Sequence, residues 1–206
     1  MERVVRPHKP GWRANLSEER AVVIGVSGAS GAPIAVRVIE ALSAAHVPVA
    51  LVVSEGARAV LREESGLDPA ELAKKATFAY EDRDLAAPIA SGSVPTRGMA
   101  IVPASVNTVA KVALGLADSL LLRAAQVHLK ERRKLVVVPR ETPLSALHLR
   151  HLASLAELGV VVLPASPPYY THPKSVADQT DYLAGKVLDQ FGVSHSLYRP
   201  WKGGEL

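Results

Sequence analysis

The clearest signal of a fold in this sequence is the stretch Ala21-Val-Val-Ile-Gly-Val-Ser-Gly-Ala-Ser-Gly-Ala-Pro33. Its first six residues form a short aliphatic run, which is typical of a strand that is covered on both faces. A glycine-rich turn follows, and Pro33 suits the first turn of a helix. Apolar residues then recur at helical spacing, at Ile34, Val38, Leu42 and Ala45. The stretch therefore predicts a strand, a tight turn and a helix.

The alternation of strand and helix continues to the end of the chain. Short aliphatic strands are predicted at 21–26, 47–53, 99–102, 135–138 and 160–163. Helices are predicted at 34–45, 54–64, from 105, at 118–130, 144–158 and 175–191, with Asp118 capping the fourth and Asp68-Pro-Ala-Glu71 forming a capping box. Such a chain folds into a parallel sheet with right-handed crossovers. We therefore predict a three-layer α/β fold in one domain, 20–206, preceded by an irregular basic extension, 1–19.

Composition narrows the class of protein. The 206 residues are 48% hydrophobic and 21% charged, which excludes disorder as the main state. The chain has no cysteine, so disulfides, thiolate metal sites and cysteine nucleophiles are excluded. Its 24 basic against 20 acidic residues and its 4% aromatic content argue against a nucleic-acid binder. No apolar run approaches the ~18 residues of a membrane span. We expect a cytoplasmic enzyme or small-molecule binder.

Ligands of parallel sheets bind beyond the carboxyl ends of the strands, so the residues after each strand are the first candidates. The glycine loop Gly25-Val-Ser-Gly-Ala-Ser-Gly31 follows the first strand. Its G-x-x-G-x-x-G spacing matches neither the dinucleotide fingerprint nor the Walker pattern. The hydroxyls of Ser27 and Ser30 favour a loop that binds an anionic ligand at the next helix. The alternative is a turn that only connects strand to helix.

Three further segments carry polar residues at predicted element ends. Pro103-Ala-Ser-Val-Asn-Thr108 opens a helix with hydroxyls that can bind a phosphate or a ring carbonyl, or simply cap the helix. Arg140 and Glu141 lie between two prolines after a strand, as a functional pair or as a structural ion pair. Arg123 and Lys130 are seven residues apart and share one helix face, which is either a binding surface or an ordinary solvated face.

A proline-rich loop, 164–173, displays two tyrosines and His172. His172 has no histidine or carboxylate partner at the spacing of a metal site, so no metal is predicted there. The order of residues also fits neither a Ser-His-Asp triad nor an H-E-x-x-H helix. The sequence thus does not predict a hydrolase or a metalloenzyme.

Taken together, these segments resemble the UbiX-type flavin prenyltransferases. The matching segments are Gly25-Val-Ser-Gly-Ala-Ser-Gly-Ala32, Ala90-Ser-Gly-Ser93, Arg123-Ala-Ala, Leu129-Lys-Glu-Arg-Arg133, Val138-Pro-Arg-Glu-Thr-Pro-Leu144 and Asp189-Gln-Phe191. They occur in the order of the family between residue 20 and about residue 201. The fourth and fifth segments together are the most specific part of the resemblance.

The resemblance implies a flavodoxin-like Rossmann fold that binds FMN. It implies metal-independent transfer of a dimethylallyl group from dimethylallyl phosphate to N5 and C6 of reduced FMN. The product, prenylated FMN, would serve UbiD-type decarboxylases in ubiquinone synthesis or aromatic acid metabolism. The family typically assembles as a homododecamer with sites between subunits.

The resemblance also implies roles for particular residues. The implied FMN contacts are Gly28, Ala29, Ser30, Ser54, Ser105, Val106, Asn107, Thr108 and Arg140. The implied contacts of the dimethylallyl phosphate are Arg123, Lys130, Tyr170, Lys186 and Trp201. The implied catalytic residues are Ser30, Glu64, Lys130 and Glu141. Ser30 and Glu64 are expected to manage the proton that leaves C6.

The chain departs from the family pattern at several positions, which keeps other hypotheses open. Lys186 stands where the family commonly has arginine, and Leu85 replaces a tryptophan of some members. The Asn107 segment, 103–108, is similar to that of FMN-dependent cysteine decarboxylases. The alternatives are therefore a decarboxylase of that type and a non-catalytic FMN carrier. An NAD-binding reading with Glu55 at the ribose is weaker because the glycine spacing is wrong.

Overall fold

The computed structural model describes residues 20–201, so the predicted extension 1–19 lies outside the described residues. Within this range the strands form a six-stranded parallel sheet in the order β3-β2-β1-β4-β5-β6. The strands are β1 Val22–Val26, β2 Val49–Val53, β3 Phe78–Glu81, β4 Gly98–Ala104, β5 Leu135–Pro139 and β6 Val161–Val162. This is the order of a doubly wound sheet.

Helices cover both faces of the sheet. They are α1 Ala32–Ala44, α2 Glu55–Ser65, α3 Pro69–Lys75, α4 Val106–Ala113, α5 Leu120–Lys130, α6 Ala146–Glu157 and α7 Val176–Gln190. One hydrophobic cluster joins the sheet to α1, α2, α3 and α7, and a second joins it to α4, α5 and α6. The predicted three-layer α/β fold is therefore confirmed. Within 20–201 each helix is too short or too polar to cross a bilayer.

The strand β3 was missed by the sequence prediction of five strands. Phe78–Glu81 pairs with β2 alone, at the edge of the sheet, and its residues are exposed or half-buried. An edge strand with solvent on one side lacks the aliphatic run by which the buried strands are recognised. The five predicted strands by themselves have the flavodoxin order, and β3 extends that order by one strand.

The helix caps test the predicted boundaries. Asp68 and Glu71 form the predicted capping box at the start of α3. The prediction that Asp118 caps α5 is wrong, because the hydroxyl of Ser119 accepts the backbone N–H that such a cap must satisfy. Asp118 instead forms an ion pair with Lys111, with 2.8 Å between Nζ and Oδ2. Asp118 and Ser119 are neighbours and both residue types cap helices well, so only the backbone geometry shows which of them is the N-cap.

A buried histidine links α5 to the segment before β4. The side chain of His128 is fully buried, with Nδ1 2.7 Å from the carbonyl oxygen of Ala124 and Nε2 2.7 Å from Oγ1 of Thr96. Burial lowers the pKa of His128 to about 4, and the nearby charge of Arg133 acts in the same direction. The ring is therefore neutral at pH 7. It donates from Nδ1 to the carbonyl and accepts from the threonine hydroxyl at Nε2.

This histidine predicts a loss of stability in mild acid. The unfolded chain binds a proton at His128 near pH 6.5, and the folded chain binds it only near pH 4. The stability that the neutral His128 ring contributes is therefore fully present above pH 6.5. It is lost as the pH falls from 6.5 to 4, which lowers the free energy of unfolding by about 3 kcal/mol in total. Urea unfolding at several pH values should show this slope in the wild type. His128→Gln should be less stable at pH 7 but should lack this part of the slope.

The matched control is His46→Gln, which replaces an exposed histidine at the end of α1. This variant retains His128, so the fall in stability that His128 causes between pH 6.5 and 4 should persist in it. An unchanged slope in His128→Gln would contradict the assignment of the acid response to this residue.

Candidate functional site

The carboxyl edge of the sheet gathers the loops that the sequence singled out. Parallel strands end at the same edge, and the strand order reverses there between β1 and β4. The loops that follow β1, β2, β4 and β5 therefore share one crevice. They carry the residues predicted for FMN, which are Gly28, Ala29, Ser30, Ser54, Ser105, Val106, Asn107, Thr108 and Arg140.

Ser27 ties two of these loops together. Its buried hydroxyl accepts the N–H of Ser105 at 2.8 Å and donates to the carbonyl oxygen of Pro103 at 2.9 Å. The turn after β1 and the turn after β4 are thus fixed to each other. Of the two hydroxyls that suggested a ligand loop, that of Ser27 is used inside the protein.

Loss of this hydroxyl should destabilise the fold. In Ser27→Ala the N–H of Ser105 loses its acceptor, while the carbonyl of Pro103 keeps its bond from the Ser27 backbone N–H at 3.2 Å. We expect a cost of about 2 kcal/mol in urea unfolding of the flavin-free protein.

Ser54→Ala is the control for this variant, since Ser54 stands at the N-cap of α2 without a side-chain capping bond. Its stability should stay within about 0.5 kcal/mol of the wild type. Equal stability of Ser27→Ala and the wild type would refute the role of the buried hydroxyl.

The glycine loop packs directly on the start of α2. A Cβ on Gly28 would lie 2.9 Å from the carbonyl carbon and oxygen of Gly56, so no side chain fits there. Gly31 has φ +112°, in the left-handed region that favours glycine, and leads the chain into α1. The loop is therefore a tight connection, and it also leaves bare backbone beside the crevice.

Glu64, in the last turn of α2, binds the glycine loop through its carboxylate. Its Oε2 accepts the N–H of Gly31 at 2.8 Å and the N–H of Ala32 at 2.9 Å, and Ser30 donates to the same carboxylate. Partial burial acts to raise the pKa of Glu64, but these bonds and the charge of Arg140 outweigh it and lower the pKa. The structure thus joins Ser30, Glu64 and Arg140 around one ionised carboxylate.

The loop after β4 is organised by its own hydroxyls. Ser105 caps α4 by accepting the N–H of Thr108 at 3.2 Å, and its Oγ lies 2.9 Å from the Thr108 hydroxyl oxygen. The capping interpretation therefore holds for Ser105. Asn107, in the first turn of α4, is exposed.

Arg140 and Glu141 follow β5 and are both exposed. In the described part of the chain they form no ion pair with each other, so the structural-pair interpretation is wrong. Glu141 accepts the backbone N–H of Thr142 at 3.1 Å. Arg140 is instead close enough to Glu64 to influence its pKa. Arg140 and Glu141 therefore interact with different partners.

Two of the predicted donor-binding residues lie on α5. Nε of Arg123 donates to the carbonyl oxygen of Ala90 at 3.1 Å. Lys130, at the end of α5, forms an ion pair with Glu131. A Cβ on Gly92 would lie 2.7 Å from Nζ of Lys130, so the ammonium group rests against the backbone of the segment 90–93.

The other three predicted donor-binding residues lie near α7. The rings of Tyr170 and Trp201 meet edge to face with centroids 5.7 Å apart. Nζ of Lys186 lies 5.8 Å from the ring centroid of Tyr198, which in turn packs on Tyr182 at 4.9 Å. Tyr182 also forms a hydrogen bond with Tyr170, so it connects Tyr170 to Tyr198. Burial and this hydrogen bond raise the pKa of Tyr182.

These two groups do not meet within one chain. The group of Arg123 and Lys130 belongs to α5, and the group around Lys186 belongs to α7. These two helices pack on opposite faces of the sheet. Lys130 also lies only five positions before Leu135, the first residue of β5, which places it toward the amino edge, away from the glycine loop. The predicted donor-binding residues of one chain therefore form two separate groups, one on α5 and one around α7, which we call the two half-sites.

Sequence reasoning gave no role to Tyr182 or Tyr198, and it noted Asp189 only as part of a matching segment. A signal for Tyr182 and Asp189 was present, because residues 182, 186 and 189 recur at i, i+4 and i+7 on one face of α7. Tyr198 joins them only through the return of the chain after α7. No group of three histidines or carboxylates within 20–201 is arranged to hold a metal ion.

Comparison with known proteins places these features in a family. The sequence model of the Flavoprotein family matches residues 13–189. The flavin prenyltransferase UbiX of Thermoplasma acidophilum is 47% identical over 180 residues, which cover 87% of this chain and 99% of the relative. The chain belongs to the UbiX-type flavin prenyltransferases. Its resemblance to that family is thereby confirmed.

Solved structures of UbiX-type proteins share the fold. A crystal structure of AnUbiX (PadA1) in complex with FMN and dimethylallyl pyrophosphate superposes with a TM-score of 0.89 at 37% identity, covering 91% of this chain and all of the other. A dodecameric FMN-dependent UbiX-like decarboxylase from Escherichia coli O157:H7 gives 0.87 at 41% identity, covering 89% of this chain and all of the other. The UbiX-type architecture thus extends over nearly all described residues.

Proposed function

We propose that the chain is a flavin prenyltransferase, which joins the dimethylallyl group of dimethylallyl phosphate to N5 and C6 of reduced FMN. The observation that carries the proposal is the ionised Glu64, held against Ser30 and beside Arg140 at the switch point of the sheet. A base and a cation at a flavin site suit a reaction in which C6 loses a proton. AnUbiX was crystallised with FMN and dimethylallyl pyrophosphate, which supports a flavin and a dimethylallyl donor as the two substrates.

The crevice fits FMN by the chemistry of its residues. Gly28 presents bare backbone beside α2, where a side chain would collide with Gly56. Ser54 keeps its hydroxyl out of the α2 cap, and Arg140 is an exposed cation at the same edge. A backbone cradle, hydroxyl donors and a cation are the groups that bind ring carbonyls and a phosphate.

The two half-sites suit the donor. Departure of phosphate from an allylic carbon builds negative charge on its oxygens, which the cations Arg123, Lys130 and Lys186 would stabilise. The electron-deficient allyl group left behind is stabilised by aromatic faces such as Tyr170 and Trp201. Glu64 would then accept the proton from C6, with Ser30 holding its carboxylate in place. Glu141 remains a proposed catalytic carboxylate near Arg140.

We propose that the half-sites meet between subunits of a homo-oligomer, with the E. coli dodecamer as the pattern for its size. A parallel sheet separates α5 from α7 in each chain, so a second copy is needed to join Lys130 and Lys186. The helix α6 supports such assembly, because Leu147 and Leu149 are 57% and 53% exposed on it. Contiguous exposed apolar patches mark protein interaction sites, and these leucines would contribute to such a patch.

The acceptor of the product is proposed by the same reasoning. Prenylated FMN is useful only to an enzyme that needs that cofactor, and a UbiD-type decarboxylase is the proposed acceptor. A cytoplasmic location also stays a prediction.

The test is an anaerobic incubation of the protein with reduced FMN and dimethylallyl phosphate, followed by mass spectrometry of the released flavin. The expected product is heavier than FMN by one C5 unit. Unmodified FMN with both the mono- and the diphosphate donor would refute the proposal. In that case, release of carbon dioxide from a cysteine-terminated peptide would indicate the decarboxylase that Asn107 suggested. Tight FMN binding without either reaction would indicate a carrier.

A further inference from the structure

Asp189, in the last turn of α7, gathers three donors around one carboxylate. Its Oδ2 accepts from Nζ of Lys186 at 3.2 Å and from the hydroxyl of Tyr198 at 2.5 Å. Its Oδ1 lies 3.1 Å from Nε2 of His195. One donor comes from α7 itself and two come from the segment that follows the helix. The proposed function gives Lys186 a role but leaves Asp189 without one.

The carboxylate is ionised and well suited to this contact. Partial burial acts to raise the pKa of Asp189, but hydrogen bonds from Tyr198, His195 and Lys186 outweigh it and lower the pKa. A charged acceptor makes each of these bonds stronger than a neutral one would. Asp189 therefore holds both Lys186 and the segment 195–198 against α7.

Gly185 shows independently that this segment is seated closely on α7. A Cβ at Gly185 would lie 2.6 Å from Cδ1 of Tyr198 and 2.7 Å from Cε1 of His195. The helix surface is bare where these two rings lie, one turn before Asp189. The absence of a side chain at Gly185 makes room for Tyr198 and His195, and the carboxylate of Asp189 binds the same two residues.

The segment continues to Trp201, whose ring meets Tyr170. The placement of Trp201 therefore depends on the way Tyr198 and His195 are fixed three to six residues earlier. We propose that Asp189 is a positioning residue of the donor half-site, which aims the Lys186 ammonium group and places the Trp201 ring. The part that concerns the donor rests on the proposed function, and the placement of Trp201 does not.

The chain supplies a matched control on the same helix. Asp181 also forms an ion pair, at 2.5 Å with Nε of Arg37, and this pair ties α7 to α1. Asp181→Asn therefore removes a charge and an ion pair from α7 without touching the segment 195–201. A purely structural role of Asp189 would make the two asparagine variants behave alike.

The experiment compares Asp189→Asn, Asp189→Glu and Asp181→Asn with the parent protein in a Trp12→Phe background. The chain has two tryptophans, so Trp201 is then the only one left. The first measurement is the KM for dimethylallyl phosphate and the kcat of flavin prenylation. The second is acrylamide quenching of Trp201 fluorescence in the assembled protein without donor.

For Asp189→Asn we expect a donor KM raised about tenfold, the change that corresponds to one weakened charge-assisted hydrogen bond. We expect kcat to change less than about threefold and the quenching constant of Trp201 to rise about twofold, as a half-packed ring becomes exposed. Asp189→Glu keeps the charge and should recover part of both effects. Asp181→Asn should match the parent in both measurements.

Parent-like KM and quenching in Asp189→Asn would overturn the proposal, and so would equal changes in Asp189→Asn and Asp181→Asn. If the parent itself transfers no prenyl group, the proposed function fails and with it the role toward the donor. The quenching measurement still decides the placement of Trp201 in that case. Unchanged quenching there would overturn this part as well.

Discussion

Glu64→Gln should lower the kcat of flavin prenylation by at least about 100-fold, the usual contribution of a general base. The carboxylate that would take the proton from C6 becomes an amide that cannot do so. The amide oxygen can still accept the N–H groups of Gly31 and Ala32, which Glu64 binds at 2.8 and 2.9 Å. The glycine loop should therefore keep its shape.

FMN affinity separates this chemical role from a structural one. Because the loop is retained, the dissociation constant for FMN in Glu64→Gln should stay within about threefold of the wild type. Such a change in affinity corresponds to less free energy than the loss of one hydrogen bond. Steady-state kinetics and fluorescence titration of FMN give the two quantities. The control is Glu63→Gln, an exposed neighbour on α2, which should retain full activity. A Glu64→Gln enzyme with wild-type kcat would remove Glu64 from the mechanism.

Two inactive variants should recover activity when their subunits are mixed. Lys130→Ala and Lys186→Ala should each lose most of the prenylation activity, because each removes a cation from the leaving phosphate. If every site takes α5 from one chain and α7 from another, a random mixture restores about a quarter of the sites. Co-expression of both variants, with purification of the mixed oligomer, should therefore raise activity from near zero to that level.

A second mixture provides the control for this recovery. Arg123 and Lys130 are both on α5, and α5 enters a site as one piece. A mixture of Arg123→Ala with Lys130→Ala should therefore stay as inactive as either variant alone. Recovery in both mixtures, or in neither, would contradict a site built from α5 of one subunit and α7 of another.

Much of the fold could be predicted because buried strands and helix caps have local signals. The aliphatic run before the glycine loop identifies β1, and its burial on both faces explains why the run does not alternate. The capping box at Asp68 is equally local. Neither β3 nor the cap of α5 could be predicted, because an edge strand has no buried run and neighbouring Asp118 and Ser119 differ only in backbone geometry.

The candidate site could be predicted by residue type but not by grouping. The loops after β1, β4 and β5 were identified as one edge from the parallel arrangement alone. The sequence could not reveal that Ser27 bonds inward to Pro103 while Ser30 bonds to Glu64. Serines two or three residues apart in a turn look alike until the turn is folded.

Local sequence signals were enough to predict the α/β class, the parallel sheet, the glycine loop at its carboxyl edge and the membership of the family. These follow from apolar periodicity and from short motifs, which depend on residues near one another in the chain. The folded chain was needed to show that α5 and α7 lie on opposite faces of the sheet, and that Asp189 contacts Lys186, His195 and Tyr198. Such contacts depend on crossover geometry and on the return of the chain after a helix, for which no local spacing carries a signal.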